Sequence, residues 1–200
     1  MKVELEDVLF WMDAIRNSED RYRTLESFWK GQVHSKQWLV ERVQELNLYG
    51  NQRIAIYGGW NGVLASLLFN SNIGISHISS IDIDPSCEEI ANTINKNYEM
   101  RGMFNAVTAD MVYHMETADI VINTSCEHIT QEQYDVWLNN QSDNSIIVLQ
   151  SNNYFELDEH IRCATDLDDF TRMSNITPIW KGVMELPKYQ RYMIIGRKNV

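Results

Sequence analysis

Along this chain the spacing of apolar residues changes period near residue 50. Before it, apolar positions recur at helical intervals: Leu5, Val8, Leu9, Met12 and Ile15 share one face of a segment starting near Glu4. Asn17-Ser18-Glu19-Asp20 interrupts that face. Leu25, Phe28 and Trp29 predict a second helix with Gly31 near its end, and Ser35 is placed to cap a third carrying Trp38, Leu39, Val43 and Leu46 on one side. The aromatics Trp11, Phe28, Trp29 and Trp38 are expected to bury as core. Gly50-Asn51 then marks a turn.

Beyond the turn, apolar runs of strand length alternate with helical stretches. Strands are predicted at Ile54 to Tyr57, Ile75 to Ile83, Asn105 to Thr108, Ala118 to Asn123 and Ser145 to Gln150. A helix is expected from Gly62 to Phe69, and another opening at Pro85, a residue well tolerated in a first turn. Such alternation implies parallel βαβ units with right-handed crossovers, a doubly wound α/β sheet. The end differs. Ile176 to Leu186 and Tyr189 to Arg197 both read as strands, and Pro187-Lys188 between them is too short for a crossover. They must pair antiparallel. The expectation is one domain over residues 1–200: an N-terminal helical segment (1–49) and a core (50–200) with a seven-stranded, mostly parallel sheet ending in a hairpin.

Composition narrows the function classes. With 200 residues, 44 % apolar and 22 % charged, the chain can bury a core. A formal charge of −11 argues against a general phosphate-binding surface. Cys87, Cys126 and Cys163 lack zinc-ligand spacing, and an odd number argues against a disulfide framework. The start, M-K-V-E-L-E-D-V, lacks a signal-peptide pattern, and no window has the apolar length of a membrane span. These features imply a cytoplasmic setting without metal or membrane.

Candidate chemistry gathers at strand ends. In R-I-A-I-Y-G-G-W-N-G-V-L-A, Gly58, Gly59 and Gly62 stand where a strand passes into a helix. Such a turn lets a ligand approach bare backbone beside free N–H groups at a helix start. It also serves simple strand–helix packing. Asp82 ends the second strand, twenty positions after Gly62, where a carboxylate can accept from two vicinal ribose hydroxyls. Asp84 is the rival acceptor but better suits a cap for the following helix. Asp110 follows the third strand, where it can accept from an amino group or cap a helix, with Met111 beside it. The fourth strand runs into N-T-S-C-E-H-I. There Asn123 could hold a ligand's polar end and Glu127 or His128 could take a proton. Cys126 is a possible nucleophile, or merely a buried thiol. Asn152, Asn153 and Tyr154 crown the fifth strand. His160 could close over the same edge, although an ordinary loop position suits it better.

In order and spacing, I-A-I-Y-G-G-W-N-G-V-L-A, S-I-D-I-D-P, V-T-A-D-M and D-I-V-I-N-T-S resemble class I S-adenosylmethionine-dependent methyltransferases over residues 50 to 197. The resemblance implies a Rossmann-like methyltransferase fold and S-adenosylmethionine as cofactor. It places Gly58, Gly59 and Gly62 by the methionine moiety, Asp82 by the ribose, and Asp110 and Met111 by the adenine, with Tyr57, Trp60, Ile83 and Asn123 completing the set. It departs from the family at two positions. Ile56 replaces the usual strand acid, and Trp60 stands where glycine is usual, so the amino-acid end needs other partners. Lys36 is a candidate for the carboxylate, against a plain solvated lysine. The resemblance implies methyl transfer, with His128 or Glu127 as base, to an acceptor expected first to be a small molecule, then a protein, then RNA. Two rivals remain: aminocarboxypropyl transfer from the same cofactor, and a non-catalytic binding domain. A nicotinamide oxidoreductase fits the hairpin and the glycine turn less well. Neither an N-P-P-Y signature nor a Pro-Cys pair is present, which disfavours the nucleic-acid base methylases.

Overall fold

The computed structural model describes residues 3–199. Three helices come first: α1 Leu5–Asn17, α2 Arg21–Glu26 and α3 Lys30–Gln44. The core then runs β1 Gln52–Tyr57, α4 Val63–Phe69, β2 Ile75–Asp82, α5 Ser86–Ile94, α6 Lys96–Glu99, β3 Phe104–Thr108 and β4 Ile120–Asn123. It continues through α7 Gln131–Asn139, β5 Ile146–Asn152, α8 Leu167–Ser174, β6 Ile176–Glu185 and β7 Gln190–Lys198. The seven strands lie in the order β3-β2-β1-β4-β5-β7-β6, with β7 antiparallel to both β5 and β6. Strand order reverses between β1 and β4, the switch point beside which doubly wound sheets open a crevice. Among the described residues, no helix is long and apolar enough to cross a membrane.

Period explains burial. Ile54 and Ile56 of β1 enter one core cluster with Leu64, Leu68, Ile78 and Val148, whereas Ala55 and Tyr57 enter the other, with Trp137, Leu149 and Phe170. Both faces of the central strands are covered, so these strands read as continuous apolar runs rather than alternating ones. The helices α1 and α3 join the first cluster through Ala14, Leu39, Val40 and Val43. The Asp7 carboxylate of α1 is fully buried, accepting from Tyr98 Oη at 3.0 Å and Asn70 Nδ2 at 2.8 Å. Trp11 Nε1 donates to Ser66 Oγ of α4 at 3.1 Å. The N-terminal segment is thus fastened to the core by apolar packing and by satisfied polar groups.

Several local expectations are corrected. Gly31 lies in the first turn of α3, not near the end of α2, and Ser35 is mid-helix, its Oγ donating to Gln150 Oε1 at 3.3 Å. Trp29 precedes α3 and is 72 % exposed, so it is not core, whereas Trp11, Phe28 and Trp38 do pack against the first cluster. Gly62 begins α4 with φ +74°, and a Cβ there would stand 2.7 Å from Asn95 Nδ2 and 3.0 Å from Ala91 Cβ. Its small size therefore serves the approach of α4 to α5.

Candidate functional site

The carboxyl ends of β1, β2, β4 and β5 open into a cleft of about 1060 Å³. That is the upper end of the range for small-molecule sites, roughly 300–1,000 Å³. Its lining includes Lys36, Gly58, Gly59, Trp60, Asp82, Ile83, Asp110, Met111, Glu127 and His128, ten of the residues singled out in the sequence. Tyr57, Gly62 and Asn123 are not among the lining. Tyr57 is fully buried, its phenol donating to His114 O at 3.3 Å and accepting from Glu116 N at 3.2 Å. Asn123 is also fully buried; its Oδ1 accepts from Ser125 N at 2.9 Å and its Nδ2 faces Met111 Sδ at 3.4 Å. Their side chains shape the strand ends and do not reach into the cleft.

The glycine turn is laid against the neighbouring strands. Gly59 N donates to Ile81 O at 3.0 Å. An added Cβ on Gly58 would stand 2.0 Å from Ser125 Oγ, and one on Gly59 2.0 Å from Ser80 Oγ, so both glycines are required by close approach. Trp60 occupies the left-handed region at φ +47°, a conformation costing a non-glycine residue about 1–2 kcal/mol. Its N–H donates to Asp82 Oδ2 at 2.8 Å, and its ring is turned toward α3, with Lys36 Nζ 5.9 Å from the ring centroid. The ring lines the cleft without filling it.

Asp82 Oδ1 accepts from Asp84 N at 3.0 Å. Each carboxylate oxygen offers about two acceptor positions, so one on each remains for a ligand. Asp84 does behave as a cap: its Oδ1 accepts from Ser86 N at 2.9 Å, while Oδ2 pairs with Arg23. Ser86 and Arg23 hold the Asp84 carboxyl below the usual carboxylate range. Through Arg23, α2 closes over the same rim. Asp110 Oδ1 accepts from Val112 N at 2.9 Å, a local turn role that still leaves Oδ2 toward a ligand.

Lys36 is not solvated. It is 9 % exposed, and burial, aided by the charge of Arg191, pulls its amine down to about 7. Its Nζ donates to Gln32 Oε1 at 2.8 Å, and among the described residues no carboxylate pairs with it. Across the cleft, Glu127 is 2 % exposed. Its Oε1 accepts from Asn152 Nδ2 at 2.6 Å and pairs with Arg191 Nη1 at 2.9 Å, while Oε2 is buried with no partner. Cys126 is fully buried and its thiol is raised to about 12 by burial, which removes it as a nucleophile at neutral pH. His160 stands in the cleft with its ring centroid 4.8 Å from that of His128, against its reading as an ordinary loop residue.

Sequence reasoning missed Arg191, Arg23 and Gln32. Antiparallel pairing sets Arg191 opposite Asn152, a register the sequence does not display. Arg23 and Gln32 belong to helices whose boundaries were misplaced.

No family model and no curated protein matches this chain. Solved structures do. A magnesium protoporphyrin IX methyltransferase from Synechocystis PCC 6803, with bound SAM, is 12 % identical and covers 100 % of both chains at a TM-score of 0.65. A putative RNA methyltransferase from Pyrococcus horikoshii is 14 % identical, covering 84 % of this chain and 85 % of that one at 0.61. MtNAS in complex with MTA and tNA is 14 % identical, covering 97 % of this chain and 70 % of that one at 0.62. At such identities the likeness establishes architecture: the chain has the Rossmann-like class I methyltransferase fold, with its sheet order and its C-terminal hairpin.

Proposed function

We propose that this chain is an S-adenosylmethionine-dependent methyltransferase acting on a small molecule. The observation that carries the reading is Asp82: a carboxylate at the end of β2, lining the cleft, with one acceptor position free on each oxygen. A ribose diol fits that pair of acceptors. The unpaired Lys36 ammonium fits an amino-acid carboxylate, and Asp110, Met111 and Ile83 offer one acceptor and two apolar surfaces to a purine. Gly58 and Gly59 give backbone access between them. The cofactor would supply an activated methyl group. The chain's own work is to orient the acceptor, exclude water and take a proton. His128 is the better placed base. A carbonyl oxygen can only accept, so the contact of Nδ1 with Glu159 O at 3.2 Å puts the proton on Nδ1 and leaves Nε2 as a lone pair.

Asp82→Ala tests this. Two hydrogen bonds to an ionised acceptor contribute about 1.5–3 kcal/mol each, so calorimetry should show S-adenosylmethionine binding weakened roughly 100-fold or more. Wild-type affinity in a folded Asp82→Ala variant would remove the cofactor placement. Transfer of the aminocarboxypropyl group is a second reading, favoured by the similarity to MtNAS, which binds MTA in one structure and S-adenosylmethionine in another. Product analysis separates the two: S-adenosylhomocysteine for methyl transfer, methylthioadenosine for the alternative.

A further inference from the structure

The far end of the cleft, between β4 and β5, holds a second constellation. Glu127, His128 and His160 each present a ligand atom, all within 4.8 Å of one another. Three features orient them. His128 Nδ1 lies 3.2 Å from Glu159 O, and His160 Nδ1 lies 2.7 Å from Tyr154 O. Both imidazoles therefore carry the proton on Nδ1 and offer Nε2 as a lone pair, the arrangement by which backbone carbonyls fix metal-binding histidines. Glu127 has one oxygen held by Asn152 and Arg191, while the other, Oε2, is buried without a partner. A buried acceptor lacking any donor is costly in isolation and signals a missing ligand.

We propose that Glu127, His128 and His160 bind one divalent transition-metal ion. Bonds of about 2.0–2.2 Å put neighbouring ligand atoms about 3.3 Å apart, so the three must close by an ångström or so. His128 is exposed and His160 half-buried, so both rings have room to swing. Arg191 neutralises the charge of Glu127, leaving affinity to rest on the two imidazoles. That selects borderline ions such as zinc, cobalt or iron(II) over magnesium and calcium, which prefer all-oxygen sites. Three protein ligands leave at least one coordination position open, and all three residues line the cleft. Resting on the methyl-transfer reading, that open position would receive an oxygen or nitrogen of the acceptor. The ion would then promote the acceptor's deprotonation in place of the His128 lone pair. The acceptor class becomes a small molecule with a metal-coordinating hydroxyl or amine.

Metal-stripped protein titrated with Co²⁺ at neutral pH tests the site. One equivalent should bind saturably with visible absorption bands, and Zn²⁺ should displace it. His128→Ala and His160→Ala should each weaken binding at least about 100-fold while retaining wild-type circular dichroism. If either alanine variant fails to fold, its glutamine counterpart carries the same expectation. Absence of saturable, Zn²⁺-displaceable absorption overturns the proposal, as does unchanged affinity in His160→Ala. A protein that binds Co²⁺ in this way but shows no affinity for S-adenosylmethionine keeps the metal site and loses only the methyl-transfer reading.

Discussion

Lys36→Met isolates the cost of a buried charge. The Lys36 amine titrates at about 7 in the folded chain, against an ordinary value of 10.5, because α3 carries it under the cleft wall and Arg191 adds repulsion. Between those values the folded state has released the proton and the unfolded chain still holds it. The unfolded state then binds more protons, so stability rises with pH across that window. Each pH unit is worth about 1.36 kcal/mol, so from pH 6 to pH 9 the wild type should gain about 2.7 kcal/mol through this residue alone. Methionine keeps most of the length and lacks the titration. The variant should be the more stable protein at pH 6, and its advantage should shrink by about 2.7 kcal/mol at pH 9. Urea unfolding at both pH values measures this, and taking the difference between variants cancels every other titrating group. A constant advantage at the two pH values would refute the buried-cation account of Lys36.

Two further outcomes follow from close contacts. Arg191→Met leaves the Glu127 carboxylate buried beside Asn152 alone, and should cost about 3–5 kcal/mol in urea unfolding. The double variant Glu127→Gln/Arg191→Met should recover most of that loss. Gly62→Ala forces a Cβ within 2.7 Å of Asn95 Nδ2 at φ +74°, and should destabilise by about 2 kcal/mol or more, read as a lower Tm.

The strands were legible because β1, β2, β4 and β5 are apolar runs bounded by polar residues, and because the hairpin link is too short for any other pairing. What failed was local punctuation. Gly31 reads as a stop signal, yet it sits in the first turn of α3. Both α7 and α8 went unread, although Thr130 and Gln133 form a reciprocal capping box and Asp166 accepts from Asp169 N at 2.8 Å. Those signals are in the sequence and could have been weighed. At the site, the type and position of Asp82 and His128 could be read from strand ends. Side-chain direction could not: Tyr57 and Asn123 end their strands but turn inward. Lys36 and Arg191 reach the cleft through tertiary packing that no local pattern encodes.

The pairing of β5 with β7 has a cost for incomplete chains. All seven residues of β5, Ile146–Asn152, are buried, and its free edge is covered only by Gln190–Lys198, near the carboxyl end. The run I-I-V-L-Q-S-N contains no charge and no proline. A chain cut short before Gln190 would bare it as an unguarded template for intermolecular cross-β pairing, the segment type that seeds aggregates. Solubility of this protein is therefore secured by the last strand to be made.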